Sequence, residues 1–383
     1  MARNKKSLSK LADLTHLITV GFLTRVCPRS LVAKTLMALG KQSQRIRLFP
    51  AQAVVYFVIL MSLWREPPQE EILRVVSESL SSMIGEYKNH KLPTKGAITK
   101  AREKLGYEAL ESLASQILAP LAPLNAPLSF YQGMRILTLE ASEAILPDSK
   151  ENAAYFGVAK EGAHIGALET PMPLCRVATL VESGTLAVTA ARLSTLESSS
   201  CALAQDLILN QSNLEGTLIL TDRLFSPELL SMAREKEAGL FVKLPENPPL
   251  KVTNTLEDGT KIAVLTDQHG NPACPEASLR ILEFCDPLTL AMDYFGTTLM
   301  DPRRYPVYEL LRLFKERLSS DTLFAEIKNR LGGMRTIVRS KVPSLVKQEI
   351  WGIIILHFAI RMLVSQVSSD SVRQKSEPQR LFA

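Results

Sequence analysis

Cysteine and histidine are scarce in this sequence, and neither occurs in the spacing of a zinc site. The 383 residues include five cysteines and five histidines. The cysteines stand singly, with no Cys-x-x-Cys pair and no histidine at zinc-ligand spacing. This pattern excludes a Cys-x-x-Cys zinc motif, and we expect all five cysteines to be buried, reduced thiols.

Apolar runs long enough to cross a membrane are also lacking. The longest runs cover residues 53–64 and 350–360, whereas a spanning helix needs ~20 apolar residues. No early apolar segment resembles a secretory signal. We therefore expect a cytoplasmic protein without a membrane partner.

The composition is that of a globular protein. Apolar residues make up 46% of the chain and charged residues 22%, so the chain can bury a sizeable core. Domains average ~150 residues, and this length predicts two or three of them.

Positive charge is concentrated in one part of the chain. The net charge is +6, and residues 300–341 contain ten basic but only five acidic residues. Such a cluster attracts phosphate groups in a salt-dependent way. A solvated helix face explains any single cluster equally well, so composition leaves both readings open.

The first third of the chain is predicted to be helical. Apolar positions recur at helical spacing in residues 31–39, 51–63 and 70–80. Lys95, Lys100 and Arg102 lie in a basic helix over residues 95–105 that could enter a DNA groove, or could be an ordinary exposed helix. Three prolines in residues 119–129 indicate a linker and a domain boundary.

From residue 134 onwards the pattern indicates mixed α/β structure. Strands are predicted at 135–146, 174–181, 185–193 and 217–221, and helices at 201–210 and 227–237. This order suits a ribonuclease H-like sheet. Residues 239–300 contain further strand-like runs, at 240–244, 261–265, 279–284 and 291–299, which predict a second β region inserted at this point.

The spacing of four residues near the basic cluster is the most informative motif. Phe314, Arg317, Asp321 and Lys328 would share one face of a helix. Their spacing resembles the Tyr-Arg-Glu-Lys signature of bacterial insertion-sequence DDE transposases, with Phe in place of Tyr and Asp in place of Glu.

Three further segments resemble the same family, in the family's order. The strand ending in Asp222-Arg223 is similar to its second catalytic segment, and residues 137–157 are similar to its first, including Pro147, Asp148, Glu151, Asn152 and Phe156. Residues 339–349 resemble its Arg-Ser-Lys-x-Pro-x-Leu-Val-x-Gln-Glu run. The N-terminal helices also look like the family's, so the resemblance to transposases of the insertion sequence four type covers nearly the whole chain.

The resemblance implies a domain organisation. We expect a helical N-terminal DNA-binding domain with its linker in residues 1–128. A ribonuclease H-like transposase domain in 129–364 would follow, with the β insertion at about 239–300. Residues 365–383 would form a polar, disordered tail. Relatives usually continue with further helices, so whether the chain is truncated stays open.

The resemblance also implies a catalytic metal site. Two Mg²⁺ ions, or Mn²⁺, would be held by three carboxylates, at the positions of Glu140, Asp222 and Asp321. The family has Asp, Asp and Glu there, so only Asp222 matches. Glu140 is one methylene longer and Asp321 one shorter than the family's acids, and the two changes could either abolish the metal geometry or compensate. Ala141 stands where the family has Gly.

Two neighbouring acids are alternative candidates for the metal ligands. Glu143 lies three residues after Glu140, so a continuing strand would point it to the opposite face. Glu326 lies five residues after Asp321, about 140° further round the helix. Neither position is better suited to metal binding.

The function implied by the resemblance is DNA transposition. The enzyme would bind the terminal repeats of a mobile element as double-stranded DNA, cleave and join strands with a divalent metal, and act as a dimer on DNA near the nucleoid. The DNA contacts are assigned to Arg317, Lys328, Arg223, Arg339, Lys341, Lys95, Lys100 and Arg102. A transposase-derived DNA-binding protein with weak or no catalysis is the alternative, and a scaffold without a nucleic-acid role is a third.

Overall fold

The computed structural model describes eleven stretches of the chain. These are residues 20–43, 49–62, 68–74, 92–124, 126–159, 171–222, 224–246, 248–266, 278–285, 292–318 and 338–376.

The chain forms two compact units. The first consists of Met1–Leu118, Ile145–Leu174 and Leu331–Ala383, and the second of Ala119–Ala144 and Cys175–Arg330. The change from the first unit to the second at residue 119 falls at the start of the expected linker. The first unit also includes two later segments that the sequence analysis assigned to the transposase domain, so the expected division into consecutive domains differs from the observed one.

The first unit is built around helices. Its helices are α1 (Val20–Val26), α2 (Arg29–Ala38), α3 (Ala51–Met61), α4 (Lys95–Leu105), α5 (Glu108–Ile117), α6 (Lys150–Phe156) and, last in the chain, α10 (Pro343–Ser376). Every residue of α3 from Ala53 to Met61 is buried. Helix α10 packs against α3, α4, α5 and α6. The helices predicted at 31–39, 51–63 and 95–105 are therefore present, while most of the one predicted at 70–80 lies outside the described residues.

Helix α10 contains a longer apolar segment than the sequence analysis expected. Pro343–Val367 has a mean hydropathy of 1.8 and is long enough to cross a membrane by length and composition alone. In the most apolar 18 residues of this segment, 61% is buried in the protein. The core helix of a soluble protein can have the same length and composition.

The second unit is built on one ten-stranded sheet. Its strands are β1 (Phe130–Tyr131), β2 (Met134–Ile145), β3 (Leu174–Glu182), β4 (Ala187–Ser194), β5 (Thr217–Thr221), β6 (Gly239–Leu244), β7 (Leu250–Thr255), β8 (Lys261–Leu265), β9 (Ser278–Cys285) and β10 (Met292–Thr297). The strand order is β4-β3-β2-β5-β6-β10-β9-β8-β7, and β1 pairs with β2. Strands β2, β5 and β6 are parallel neighbours, whereas β6, β10, β9, β8 and β7 pair antiparallel in turn.

The region after residue 239 differs from the expected insertion. Strand β6 pairs in parallel with β5 and so belongs to the central sheet. The next four strands extend this same sheet from the other edge of β6, and β7 was not predicted. The insertion was predicted wrongly because β6 pairs with a strand at each of its two edges. The sequence pattern of a single strand does not indicate which strands pair with it.

Helices cover both faces of the central sheet. Helices α7 (Ser200–Leu209) and α8 (Pro227–Glu235) pack on the face that carries Leu137, Leu139 and Ile219. Helix α9 (Val307–Leu318) packs on the other face, against Leu218 and Leu220. Alternate residues of β2 and β5 therefore point to different helices.

The cysteines only partly match the expectation. Cys27 and Cys175 are buried, and burial raises the pKa of the Cys27 thiol to about 12. Cys201 is half-buried and Cys285 is exposed, so these two were wrongly predicted to be buried. Cys274 lies outside the described residues.

Candidate active site

Two of the three predicted acids lie beyond the paired stretch of two neighbouring parallel strands. In the β2–β5 pair, Thr138 is opposite Leu220, the last pair of this register. Glu140 lies two residues further along β2, which continues to Ile145, and Asp222 directly follows the last residue of β5. Both residues line one pocket of the second unit.

The alternation of side chains along β2 separates its residues between two faces. Ile136, Leu218 and Leu220 pack in the cluster that includes α9. Glu140 has the parity of Ile136 in β2, whereas Asp222 follows the end of β5 and is not part of the strand. The fold thus brings two acids that are 82 residues apart in the chain to the lining of one pocket.

Helix α9 is fixed to this face by the first signature residue. The ring of Phe314 packs edge-on against Phe241 and Phe295, with centroid distances of 5.2 and 4.9 Å. Such aromatic pairs stabilise the contact beyond their area alone. Phe314, the first residue of the predicted signature, is therefore a core residue.

An open pocket of about 590 Å³ surrounds the two acids. Glu140 and Asp222 line it together with Thr221. The opposite wall is the start of α7, where Ser199 accepts a hydrogen bond from the amide of Ala202. The contribution of these residues to the pocket was not predicted from the sequence, although a run of serines such as 198–200 is typical of the start of a helix.

The environment of Glu140 favours its neutral form. Burial raises the pKa of this carboxyl to about 7, because a desolvated charge is unfavourable. A carboxyl of this kind is ionised only in part at neutral pH. The described residues contain no cluster of three or more His, Cys, Asp or Glu side chains that could hold a metal.

Glu143 also lines the pocket but is held by a neighbour. Its Oε1 accepts a hydrogen bond of 2.8 Å from Arg176 Nη2. The same arginine donates to the carbonyls of Leu196 and Ser198, just before α7. Glu143 therefore braces the pocket wall through its ion pair with Arg176.

The remaining signature residues are only partly described. Arg317 lies in the last turn of α9 and is mostly buried, which lowers the pKa of its guanidinium, while Glu316 opposes this effect. The Nη2 atom of Arg317 lies 4.0 Å from Oε2 of Glu316. Asp321, Lys328 and Arg223 lie outside the described residues.

Arg102 is a buried structural residue, and its assignment as a DNA contact was wrong. Its side chain is 1% exposed. Its guanidinium donates to Gln348 Oε1 at 2.9 Å, to Glu349 Oε1 at 2.9 Å and to Ser340 Oγ at 3.3 Å. A guanidinium enclosed in this way is not available to a phosphate.

The other predicted DNA contacts of the first unit differ in exposure. Lys95 and Lys100 are exposed on α4, and Lys341 is exposed before α10. Arg339 is half-buried, and burial lowers the pKa of its guanidinium, although Glu349 opposes this effect. The three lysines are accessible to a ligand.

The family-like run at 339–349 has a structural role. Besides binding Arg102, Glu349 accepts a hydrogen bond of 2.7 Å from the Arg339 amide, and Gln348 donates to the Gly106 carbonyl. Asn152, from the first family-like segment, is fully buried and donates to the Ser340 carbonyl at 3.2 Å. Several of the motif residues recognised in the sequence therefore hold the first unit together.

The expected linker is anchored rather than loose. The amides of Leu121 and Ala122 donate to Glu182 Oε2 at 2.9 and 2.8 Å. Glu182 is fully buried and also forms an ion pair with Arg135. The start of the proline-rich stretch is thus tied to the end of β3.

The comparisons with known proteins agree with the resemblance seen in the motifs. Residues 17–114 match the family model described as insertion element 4 transposase N-terminal. The transposase InsG for insertion sequence element IS4 from Escherichia coli (strain K12) is 25% identical over 340 residues, which cover 86% of this chain and 73% of that protein.

A structural likeness was also found. A piggyBac transposase synaptic complex with hairpin DNA aligns with a TM-score of 0.48 at 8% identity, covering 94% of this chain and 82% of that chain. The two sequence similarities are both to transposases of the insertion element 4 type.

Proposed function

We propose that this chain is a DNA transposase of the insertion sequence four type. It would bind the terminal repeats of a mobile element and carry out metal-dependent cleavage and transfer of DNA strands. The observation that supports the proposal is that Glu140 of β2 and Asp222, just after the neighbouring parallel strand β5, line one pocket.

The donor set of the pocket fits a divalent metal ion of the magnesium type. Carboxylate oxygens are hard ligands, which Mg²⁺ and Mn²⁺ prefer. Glu140 and Asp222 would hold the metal, with Asp321 as the third ligand. When bound, the ions would supply Lewis-acid activation of the attacking hydroxyl and stabilise the leaving oxygen.

The surrounding structure is proposed to be a ribonuclease H-like core. The order β4-β3-β2-β5-β6, with three successive strands followed by two parallel strands, supports this interpretation. The DNA contacts would come from Arg317, Lys328, Arg223, Arg339, Lys341, Lys95 and Lys100. We also propose that the chain acts in the cytoplasm, as a dimer on its DNA.

A transposase-derived DNA-binding protein with little catalysis is the second candidate. It is favoured by the two acids that differ in length from those of the family, Glu140 and Asp321. Mg²⁺ needs near-ideal octahedral oxygens, so a carboxylate displaced by about 1.5 Å, one carbon–carbon bond, would weaken binding.

Metal binding separates the two candidates. Isothermal titration with Mg²⁺ and Mn²⁺ should show saturable binding to the wild-type chain and lose it in Asp222→Asn, because the variant lacks one carboxylate. The double variant Glu140→Asp with Asp321→Glu restores the family's acids. Binding and plasmid cleavage gained only in the double variant would contradict catalysis by the native chain and support the second candidate.

A further inference from the structure

An unusually basic stretch precedes the helix that the sequence analysis selected for DNA binding. Residues 14–65 contain no aspartate or glutamate but seven basic residues. Four of these basic residues are described, namely Arg25, Arg29, Lys34 and Lys41. Positive charge without any acid in the same segment produces a field that attracts phosphate groups.

Helix α2 presents one side of this stretch to solvent. Val32, Thr35 and Leu36 are buried, and α2 packs against α3 and α5. Thr35 receives a hydrogen bond of 3.0 Å from Gln116 of α5. The contacts on this side fix the helix and define its outward side.

The outward side of α2 has the composition of a groove-binding surface. Ser30, Lys34 and Met37 are exposed, and they follow one another at spacings of four and three residues, so they form one stripe. Met37 is 64% exposed, so its apolar side chain is accessible to a ligand. Ala33 adjoins the stripe and adds no bulk.

The neighbouring helices do not cancel this charge with many acids. Helix α3 has no acidic residue, and α5 has only Glu108 and Glu111, both in its first turn. Gln116, which contacts Thr35, lies in the opposite half of α5. The Lys34 ammonium is therefore set in a surface that is positive overall.

We infer that α2 is a DNA-contacting helix that inserts its Ser30–Lys34–Met37 side into the major groove. A ten-residue helix is about 15 Å long, and the major groove of B-DNA is ~12 Å wide and admits a helix. Lysine contacts phosphate or guanine, serine contacts base edges, and apolar groups contact the thymine methyl. The inference rests on the proposed function, because it names the element through which the transposase holds DNA.

The test compares α2 with α4, the helix that the sequence pattern favoured. A fluorescein-labelled duplex of random sequence is titrated with the full chain at several salt concentrations, and binding is followed by anisotropy. We expect Lys34→Glu to weaken binding by at least tenfold and to reduce the slope of log affinity against log salt by about one or more, because a phosphate contact is lost. Thermal unfolding of Lys34→Glu should match the wild type, since the residue is exposed.

A matched control and a competing variant make the result decisive. Lys251→Glu makes the same charge change on an exposed residue of β7, and its affinity should stay within twofold of the wild type. An equal loss in Lys34→Glu and Lys251→Glu would overturn the inference, as would a loss in Lys100→Glu with none in Lys34→Glu. Met37→Ala should lower affinity about threefold without changing the salt slope, because it removes an apolar contact and no charge.

Failure of the inference can be told apart from failure of the proposed function. If the wild-type chain binds DNA and the α2 variants bind it with wild-type affinity and salt dependence, the inference alone is wrong. If the wild-type chain shows no salt-dependent binding, the proposed function fails as well. Polyglutamate can also be added at the same concentration of negative charge as the duplex. If it displaced the duplex, the surface would bind polyanions in general, and this result would also overturn a groove-binding role.

Discussion

At the scale of single residues, the type of a side chain predicts its chemistry, but it predicts less well whether the side chain is buried or exposed. Lys95, Lys100 and Arg102 look alike in the sequence, because all three are basic residues of one helix. The structure leaves the two lysines exposed and buries the arginine. The partners of Arg102 are 238 to 247 residues away, so no local pattern could reveal them.

The burial of Arg102 gives a prediction about stability. Arg102→Ala should lower the free energy of unfolding by about 3–5 kcal/mol, because it leaves the Glu349 carboxylate buried without its partner. Urea denaturation followed by circular dichroism measures this change. Lys100→Ala, on the exposed side of the same helix, should change stability by less than ~0.5 kcal/mol. Equal stability of both variants would mean that Arg102 is not buried as described.

The pKa of Glu140 gives a prediction about pH. Its folded pKa of about 7 lies above the ordinary value of 4.5, so the folded state binds the proton more tightly. The contribution of protonated Glu140 to the free energy of unfolding is therefore fully present below pH ~4.5 and is lost as the pH rises through about 7. In EDTA, Glu140→Gln should become more stable than the wild type by up to about 3 kcal/mol at pH 8, and by little at pH 4.

Denaturation of both proteins across this pH range measures the difference. Glu283→Gln changes an exposed carboxylate in β9 and serves as the control, for which only a small change is expected. A constant difference between Glu140→Gln and the wild type from pH 4 to pH 8 would show that Glu140 is well solvated.

At the scale of helices and strands, the sequence predicts much of the second unit. The strands β2 to β5 and the helices α7 and α8 follow from apolar periodicity and the length of each run, whereas α6, between β2 and β3, was not predicted. The pairing of β6 with β5 does not follow, because a short buried strand has no local signal for its neighbours. The signature helix is predicted by spacing, but α9 is described only as far as Leu318.

Helix packing in the first unit gives a prediction that uses two glycines. A Cβ atom on Gly352 of α10 would come within 3.1 Å of the Val58 carbonyl in α3, whereas one on Gly96 of α4 would meet nothing within 4 Å. Alanine favours helices at both positions. Gly96→Ala should therefore add about 0.5–1 kcal/mol, while Gly352→Ala should remove about 1 kcal/mol because overpacking outweighs the helix preference.

Thermal unfolding of the two variants tests this packing. Opposite shifts in Tm are expected. Stabilisation by both substitutions would mean that α10 and α3 are not in close contact at Gly352.

At the scale of the whole molecule, the recognised motifs divide between the two units by role. The acids Glu140 and Asp222 belong to the second unit, while Asn152, Gln348 and Glu349 stabilise the first. The sequence resemblance gave the order of these motifs but not this division, which depends on contacts between distant segments. The fold thus accounts for two kinds of motif residue, those that face a pocket and those that bind other parts of the chain.

The central claim is that the pocket around Asp222 cleaves DNA with a divalent metal. It is tested most directly by Mg²⁺-dependent nicking of a supercoiled plasmid that carries the element's ends, with the wild-type chain and Asp222→Asn side by side. The account predicts nicking by the wild type, loss of at least a hundredfold in Asp222→Asn, and DNA affinity unchanged within threefold. Equal nicking by both proteins would contradict the assignment of the site, and no nicking by either would contradict catalysis by this chain.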